Sequence, residues 1–274
     1  MLPPAVAIAT AFAAAGAAAW CNRTVFGFLP DDPPGPGRKQ HGRPTPLAGV
    51  ALAPAIAPWL VAAGDWWTLA ALLTAAVTGF VDDWRKDFGG GLDWRTKALG
   101  LLAAAALGAT AVCPPDRPFA FAATLAFVWV LTNATNFLDN TNGVASALAA
   151  TSLLVTSAGA GPVAAIGWAA LGFLPWNWPR ARLFLGDSGA YLLGAATGIA
   201  VAGNTLVDAR HVLAAAVQVA DFVQVVIARL VLGLPPWVGD RRHLSHVAQN
   251  LGLPPTAVAP LFAAAAAAIG LAAA

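Results

Sequence analysis

Apolar segments about as long as a membrane is thick recur along the whole chain, and no other feature constrains the fold as strongly. A helix needs about 20 apolar residues to cross roughly 30 Å of hydrocarbon. The sequence is 58% hydrophobic and 10% charged, whereas soluble domains carry about 25% charged residues. We therefore expect residues 1–274 to form one all-α, polytopic membrane helix bundle. The ten predicted spans are 3–29, 47–64, 66–82, 97–113, 118–135, 143–159, 161–177, 188–207, 211–232 and 255–274.

Basic residues are concentrated on one side of these predicted spans. That side carries thirteen of the fifteen Lys and Arg residues, and only Arg117 and Arg210 lie opposite. Because cytoplasmic loops carry the excess of Lys and Arg, this side is predicted to be cytoplasmic. An even number of spans then leaves both termini of this multi-pass protein outside. The net charge of +2 does not indicate a nucleic-acid partner.

The segment TNATNFLDNTNGV (132–144) places a dense polar cluster between two apolar runs on the cytoplasmic side. It is either a polar cap where a helix leaves the membrane or a ligand site. Asn133, Asn136 and Asn140 recur at a helical spacing, with Asp139 beside them. Asparagine both donates and accepts hydrogen bonds, so it can read a nucleobase or ligate Mg²⁺. A cap needs only one such residue, and the pattern therefore favours a site.

Carboxylates mark two other segments on the same side. Asp82 and Asp83 in GFVDDW end an apolar span, and Asp187 in FLGDSG begins one. The paired aspartates could simply be a solvated helix end, although carboxylates are less favourable at a helix C-terminus than at an N-terminus. Asp187 could be an N-cap, or it could mark a helix N-terminus that attracts phosphate. Hard oxygen ligands are also what Mg²⁺ and phosphate chemistry require.

Two basic segments, RKQHGRPTPLAG (38–49) and PPWVGDRRHLSH (235–246), complete the cytoplasmic side. They are interpreted either as phosphate-binding clusters or as solvated loops that follow the charge bias. Zinc is disfavoured because no Cys or Glu ligand accompanies the two histidines at 243 and 246. The basic candidates are Arg38, His41, Arg241, Arg242, His243 and His246.

Asp221 differs from these residues because it lies inside an apolar span, eight residues before Arg229. Acidic residues within a membrane are costly and are usually functional or paired. The sequence leaves two roles open for Asp221, a substrate site and a structural polar contact.

Taken together and in this order, the segments resemble the polyprenyl-phosphate N-acetylhexosamine-1-phosphate transferase family, also called glycosyltransferase family 4. The resemblance runs from Arg38 to His246. It implies transfer of a sugar-1-phosphate from a UDP-sugar to the membrane lipid polyprenyl phosphate, with UMP released. That reaction begins the synthesis of lipid-linked cell-envelope glycans such as cell wall or lipopolysaccharide. The resemblance also implies Mg²⁺, with Mn²⁺ as the alternative, and allows a homodimer. It further implies a bacterial inner membrane, with the active site facing the cytoplasm.

The resemblance also assigns roles, residue by residue. Asp82 and Asp83 match the paired aspartates near the lipid phosphate, and Lys97 in GLDWRTK matches the lysine on the diphosphate. Asp187 matches the Mg²⁺ ligand. The remaining expected site residues are Asn133, Asn136 and Asp139 at the nucleotide sugar, with Asn136 also a metal partner, and Arg38, His41, Arg241, Arg242, His243 and His246 near the sugar and diphosphate.

Two positions depart from the family pattern. Asn142 stands where a second carboxylate is common, so it is not counted as catalytic. The chain has His243 and His246 where the peptidoglycan branch has three consecutive histidines, which shifts the expected donor toward UDP-GlcNAc or another UDP-hexosamine. The rival interpretations are a secondary transporter, which predicts ionisable groups at mid-depth, and a catalytically inactive family member.

Overall fold

A computed structural model describes residues 3–22, 24, 27–34, 42–114, 116–237, 239 and 241–273. The expected all-α class is confirmed in these residues. One small addition is an antiparallel pair of two-residue strands, β1 (Asp31–Asp32) and β2 (Thr45–Pro46). The helices are α1 (Pro4–Cys21), α2 (Leu52–Ala63), α3 (Trp66–Asp87), α4 (Trp94–Val112), α5 (Pro118–Leu138), α6 (Val144–Thr156), α7 (Gly161–Asn177), α8 (Gly186–Thr205), α9 (Ala216–Val231), α10 (Leu244–Asn250) and α11 (Pro255–Ala273).

Every predicted span overlaps one of these helices, and the short α10 is additional. By length and composition, four helical segments of the described residues are able to cross a membrane: Pro4–Cys21, Pro118–Leu138, Ala209–Val231 and Pro255–Ala272. The third consists of a 3₁₀ segment (Ala209–Ala215) followed directly by α9. The arrangement with ten spans stays a prediction.

Helix ends differ from the predicted span ends in a way that matters for the site. α1 stops at Cys21, well short of the predicted end at residue 29, and the Leu29 N–H instead donates to the Asn22 side chain at 2.7 Å. α3 and α5 continue beyond the apolar runs, to Asp87 and Leu138. The polar residues that end those runs therefore lie on rigid helical turns.

α8 is the central helix of the bundle. Its residues are buried on all sides from Ser188 to Ala202, and it packs against α3 and α5. Small residues allow this close packing: a Cβ on Gly194 would lie 2.7 Å from the Thr132 Cα of α5. Small residues at helix contacts are the usual means of bringing backbones together in lipid. The hydrophobic effect does not drive helices together there, so close packing has to stabilise the contact.

The beginning of α8 meets α3 almost backbone to backbone. A Cβ on Gly79 would lie 2.4 Å from the Asp187 carbonyl carbon, and a Cβ on Gly49 would lie 2.6 Å from the Gly189 Cα. Only glycine fits at such distances, because real Cβ contacts are longer. This approach places the last turns of α3 beside the first turn of α8, and the acidic segments of both helices meet there.

Candidate active site

Three carboxylates from two distant segments form the centre of the site. Asp82 and Asp83 come from the end of α3 and Asp187 from the start of α8, and one oxygen of each lies within 4.8 Å of the others. Asp82 and Asp83 are 0% and 2% exposed. Three acidic groups this close and this buried repel one another unless cations neutralise them. We call these three residues the carboxylate centre.

Two lysines supply that positive charge. The Lys86 Nζ lies 2.7 Å from Asp82, 2.9 Å from Asp187 and 3.6 Å from Asp83. The Lys97 Nζ lies 2.7 Å from Asp82 and 3.7 Å from Asp187. Lys86 lies beyond the predicted end of its span. Loss of water around its ammonium group lowers its pKa, but the surrounding carboxylates, Asp187 first, outweigh this effect and hold the pKa above its usual value. The lysine therefore stays charged.

Asp83 has a further role at the start of α8. Its two carboxylate oxygens accept hydrogen bonds from the backbone N–H groups of Asp187 at 3.2 Å and Ser188 at 3.1 Å. These are among the N–H groups that a helix N-terminus leaves unpaired. Asp83 thus caps α8 from another helix. The N-cap interpretation of FLGDSG was wrong, because α8 begins at Gly186 and Asp187 lies in its first turn. The interpretation as a helix N-terminus that attracts phosphate stays a prediction, with two of the N–H groups already paired to Asp83.

α5 contributes Asn136 and Asp139 beside the centre. The Asn136 side-chain amide donates to the Asp187 Oδ1 at 2.9 Å, so it holds that carboxylate in place. Asp139 follows the last turn of α5. Burial, and then the charges of Asp187 and Asp83, raise the pKa of Asp139 well above its usual range. Asn136 as a metal ligand and Asp139 as a catalytic group stay predictions.

The other polar residues of segment 132–144 have separate contacts. Asn133 donates to the Trp129 carbonyl of its own helix at 2.8 Å. Asn140 accepts from the Ser245 hydroxyl at 2.5 Å, and Asn142 donates to the Pro179 carbonyl at 3.3 Å. These three asparagines therefore make separate contacts within the protein, and the predicted role of Asn133 at the nucleotide sugar stays a prediction. The segment joins the end of α5 to α10 and to the turn after α7.

The basic segment before α10 lies against this same region. The His243 ring packs edge-on against the Phe137 ring, with centroids 5.8 Å apart. His243 and His246 are both buried, and their ring centroids are 5.9 Å apart. Asp221 of α9 contacts His243 at 2.9 Å, which supplies the polar contact that the sequence left open.

The remaining basic candidates are placed less fully. Arg241 and Arg242 directly precede His243 in the turn before α10. Arg38 and His41 lie outside the described residues. Their predicted roles near the sugar and diphosphate stay predictions.

Two residues at the site were missed from the sequence. Lys86 was counted only toward the charge bias, although it follows Asp82 by four positions and Asp83 by three, the spacings at which helix side chains meet. The Asn177 side chain was also missed: it accepts from the Gly143 N–H at 2.8 Å and donates to the Leu183 carbonyl at 3.1 Å. No local pattern in the sequence indicates that Asn177 makes these contacts.

The carboxylate centre fits a hard divalent cation. Three converging carboxylates offer the oxygen donors that Mg²⁺ or Mn²⁺ takes. When all three carboxylates are ionised, the two ammonium groups leave one negative charge uncompensated, and the centre then attracts a further cation. Asp82, Asp83 and Asp187 are the residues that would hold it.

Comparison with known proteins gives the family. A sequence model of glycosyl transferase family 4 matches residues 66–203, half of the chain. These residues include α3 and α8 and hence the whole carboxylate centre.

Three relatives illustrate the similarity. An undecaprenyl-phosphate alpha-N-acetylglucosaminyl 1-phosphate transferase of Thermotoga maritima is 31% identical over 43% of this chain and 39% of its own. A decaprenyl-phosphate N-acetylglucosaminephosphotransferase of Mycolicibacterium smegmatis is 28% identical over 78% and 68%. A phospho-N-acetylmuramoyl-pentapeptide-transferase of a Synechococcus strain is 31% identical over 62% and 58%. Two of these matches cover less than two thirds of the relative's length.

The whole carboxylate centre lies within the matched region, as do the segments GFVDDW, GLDWRTK, 132–144 and FLGDSG, whereas the two basic segments 38–49 and 235–246 lie outside it. The chain belongs to glycosyl transferase family 4.

Proposed function

We propose that this protein transfers a sugar-1-phosphate, in the first instance N-acetylhexosamine-1-phosphate, from a UDP-sugar to polyprenyl phosphate. The products are polyprenyl-diphosphate-sugar and UMP. The observation that carries this proposal is the carboxylate centre, in which three aspartates from α3 and α8 converge with Lys86 and Lys97. Relatives whose names specify this transfer support the same reaction.

The proposed chemistry is displacement at phosphorus. An oxygen of the lipid phosphate attacks the β-phosphorus of the donor, and the bond from that phosphorus to the oxygen of UMP breaks. Several negative oxygens meet in one place, so neutralising charge is the main task of the protein. Lys97 and Lys86 supply ammonium groups at the centre for this purpose. Mg²⁺ held by Asp187 with Asp82 and Asp83 would add positive charge against the diphosphate.

The contacts of the paired aspartates favour direct attack over a covalent aspartyl-phosphate. Both oxygens of Asp83 accept backbone hydrogen bonds from α8. Asp82 accepts from the Leu92 N–H at 2.6 Å through Oδ1 and meets both lysines through Oδ2. These contacts fix both carboxylates and neutralise part of their charge, which weakens them as nucleophiles, while the second lone pair of an oxygen can still meet a cation. A phosphate monoester has a second pKa near 6, so the lipid phosphate is largely dianionic at pH 7 without a strong base.

The position of the centre fits a reaction between a soluble nucleotide and a lipid. The carboxylates lie where α3 ends and α8 begins, on the side that the charge bias predicts to be cytoplasmic. In the proposed arrangement ten spans hold the prenyl chain in the bilayer, and its phosphate reaches the centre from there. The chain has only His243 and His246 where the peptidoglycan branch has three consecutive histidines, and this difference favours UDP-GlcNAc over a MurNAc-pentapeptide donor.

The rival functions make different demands. A transporter needs ionisable groups at mid-depth, whereas the carboxylate centre lies at helix ends. An inactive member is suggested by Asn142, but this side chain contacts Pro179 and leaves the three carboxylates and both lysines in place.

The test is nucleotide release by the purified protein. The protein, in detergent with Mg²⁺ and undecaprenyl phosphate, is incubated with a panel of UDP-sugars. We expect UMP from one donor, only with the lipid and not with EDTA. UDP as the product would indicate a glycosyltransferase and would contradict the proposal, as would the absence of any nucleotide product.

A further inference from the structure

α9 is a membrane helix whose polar residues point inward. Its buried residues are Gln218, Asp221, Val225 and Arg229, spaced three and four apart and therefore on one face. Apolar side chains such as Val223, Ile227 and Leu230 are exposed on the rest of the helix. A charge buried on this face is costly unless it is paired, so the partners of Asp221 and Arg229 indicate what the face is for.

Both charged residues of this face hold the segment that follows α9. The Arg229 guanidinium donates to the Pro236 carbonyl, near the beginning of the segment. Asp221 accepts from the Leu244 N–H at 2.6 Å and contacts the His243 Nδ1 at 2.9 Å, at its end. Asp221 thus caps α10 from another helix, as Asp83 caps α8. The segment with the two histidines is fixed at both ends by one helix face.

The contact with Asp221 also sets the chemistry of the His243 ring. A carboxylate only accepts hydrogen bonds when ionised, so the proton of the imidazole belongs on Nδ1. Nε2 is then the nitrogen that can meet a ligand. Carboxylate–histidine pairs of this kind fix the tautomer and the ring orientation elsewhere. Asp221 is 0% exposed and His243 is 4% exposed, so little water competes for the contact.

The His243 ring is joined to the carboxylate centre through α5. It packs on Phe137, and the preceding residue, Asn136, donates to Asp187. The Arg229 guanidinium lies 4.8 Å from the centre of the same Phe137 ring. A shift of the His243 imidazole would therefore displace Phe137, which directly follows the residue that holds Asp187.

We propose that Asp221 is a positioning residue that acts through His243, keeping the proton on Nδ1 and presenting Nε2 to the nucleotide sugar. This inference rests on the proposed function. On this proposal Asp221 supports turnover without touching the substrate. Burying a carboxylate in α9 is costly, and the orientation of the His243 imidazole is the function that explains this cost.

The experiment is a double-mutant cycle on kcat/KM for the UDP-sugar that the wild type uses. We expect D221N to lower kcat/KM by about 10- to 100-fold, the usual cost of losing such an outer partner. We expect H243Q to lower it at least as much, and D221N to add nothing in the H243Q background, since an indirect effect needs its intermediary. D208N is the matched control and should match the wild type, because Asp208 is a partly exposed aspartate that pairs with Arg210 outside the site.

The outcomes separate the two claims. A wild type that releases no UMP overturns the proposed function, and the positioning role falls with it. An active wild type with D221N equal to it, or with effects of D221N and H243Q that multiply, overturns only the positioning role. If D221N does not fold, D221E serves instead: it keeps the charge but displaces it by one methylene, so kcat/KM falls in the wild type and not in H243Q.

Discussion

Lys86 shares the negative charge of the carboxylate centre with any metal ion that binds there, and removing the charge of Lys86 gives a sharp prediction. Its Nζ lies within 3.6 Å of all three carboxylates. Methionine has a similar length and no charge, so K86M removes the ammonium with little change in volume. Without the Lys86 ammonium the aspartates repel one another more strongly, and a divalent cation no longer competes with a positive charge that is fixed to the protein. The variant should be less stable without metal and should bind metal more tightly.

The size of the effect follows from burial. Removing one partner of a fully buried ion pair costs about 3–5 kcal/mol. The Lys86 side chain is 44% exposed, so water screens part of this interaction, and Lys97 still contacts Asp82 at 2.7 Å. After this discount we expect a loss of about 1–2 kcal/mol in EDTA. If most of it returns on metal binding, the affinity for metal rises about tenfold, which corresponds to about 1.4 kcal/mol.

The assay is binding of Mn²⁺ to the purified protein without substrates, followed by electron paramagnetic resonance, with thermal unfolding in EDTA and in Mg²⁺ as a second readout. R85M is the matched control because Arg85 is the exposed neighbouring cation. We expect tighter Mn²⁺ binding and a larger stabilisation by Mg²⁺ in K86M than in the wild type or R85M. Weaker or unchanged binding in K86M would refute the reasoning, because Lys86 would then not compete with the metal.

Three further predictions test other parts of the site. D187N should lower UMP release by about 100-fold or more, the usual scale for losing one preorganised electrostatic group, whereas D208N should not; a fully active D187N would contradict the role of the centre. G79A should lower the unfolding temperature and G90A should not, because a Cβ at 79 meets Asp187 at 2.4 Å and one at 90 meets nothing within 4 Å; equal unfolding temperatures would exclude that close approach. K97M should raise KM for the donor more than R85M does, measured by UMP release at varied UDP-sugar, and an unchanged KM would remove Lys97 from the diphosphate site.

Much of the site was predictable from local features of the sequence. Apolar runs of the right length located the helices, and the polar segments that interrupt them located Asp82, Asp83 and Asp187. Order along the chain added the family resemblance, because several weak motifs in one sequence are more specific than any one of them. The spacing of Lys86 from the paired aspartates was also visible, although it was interpreted only as part of the charge bias.

The parts that were not predictable depend on contacts between distant segments. Asp83 caps a helix that begins more than one hundred residues later, and Asp221 caps α10 across the α9–α10 segment. A capping pattern is recognisable in sequence only when the cap precedes its own helix. For the same reason FLGDSG was interpreted only through its own helix, and nothing in segment 132–144 indicated that Asn140 would contact Ser245 of α10. The close approach at Gly79 likewise has no local signature.

The most direct test of the central claim follows the β-phosphate of the donor. The purified protein is given undecaprenyl phosphate, Mg²⁺ and a UDP-sugar labelled with ³²P in the β-phosphate, and the lipid and aqueous phases are separated and counted. The account predicts label in the lipid phase together with unlabelled UMP in water, and loss of both in D187N. Label that remains in water as UDP while the sugar enters the lipid would show transfer at carbon and would contradict the account.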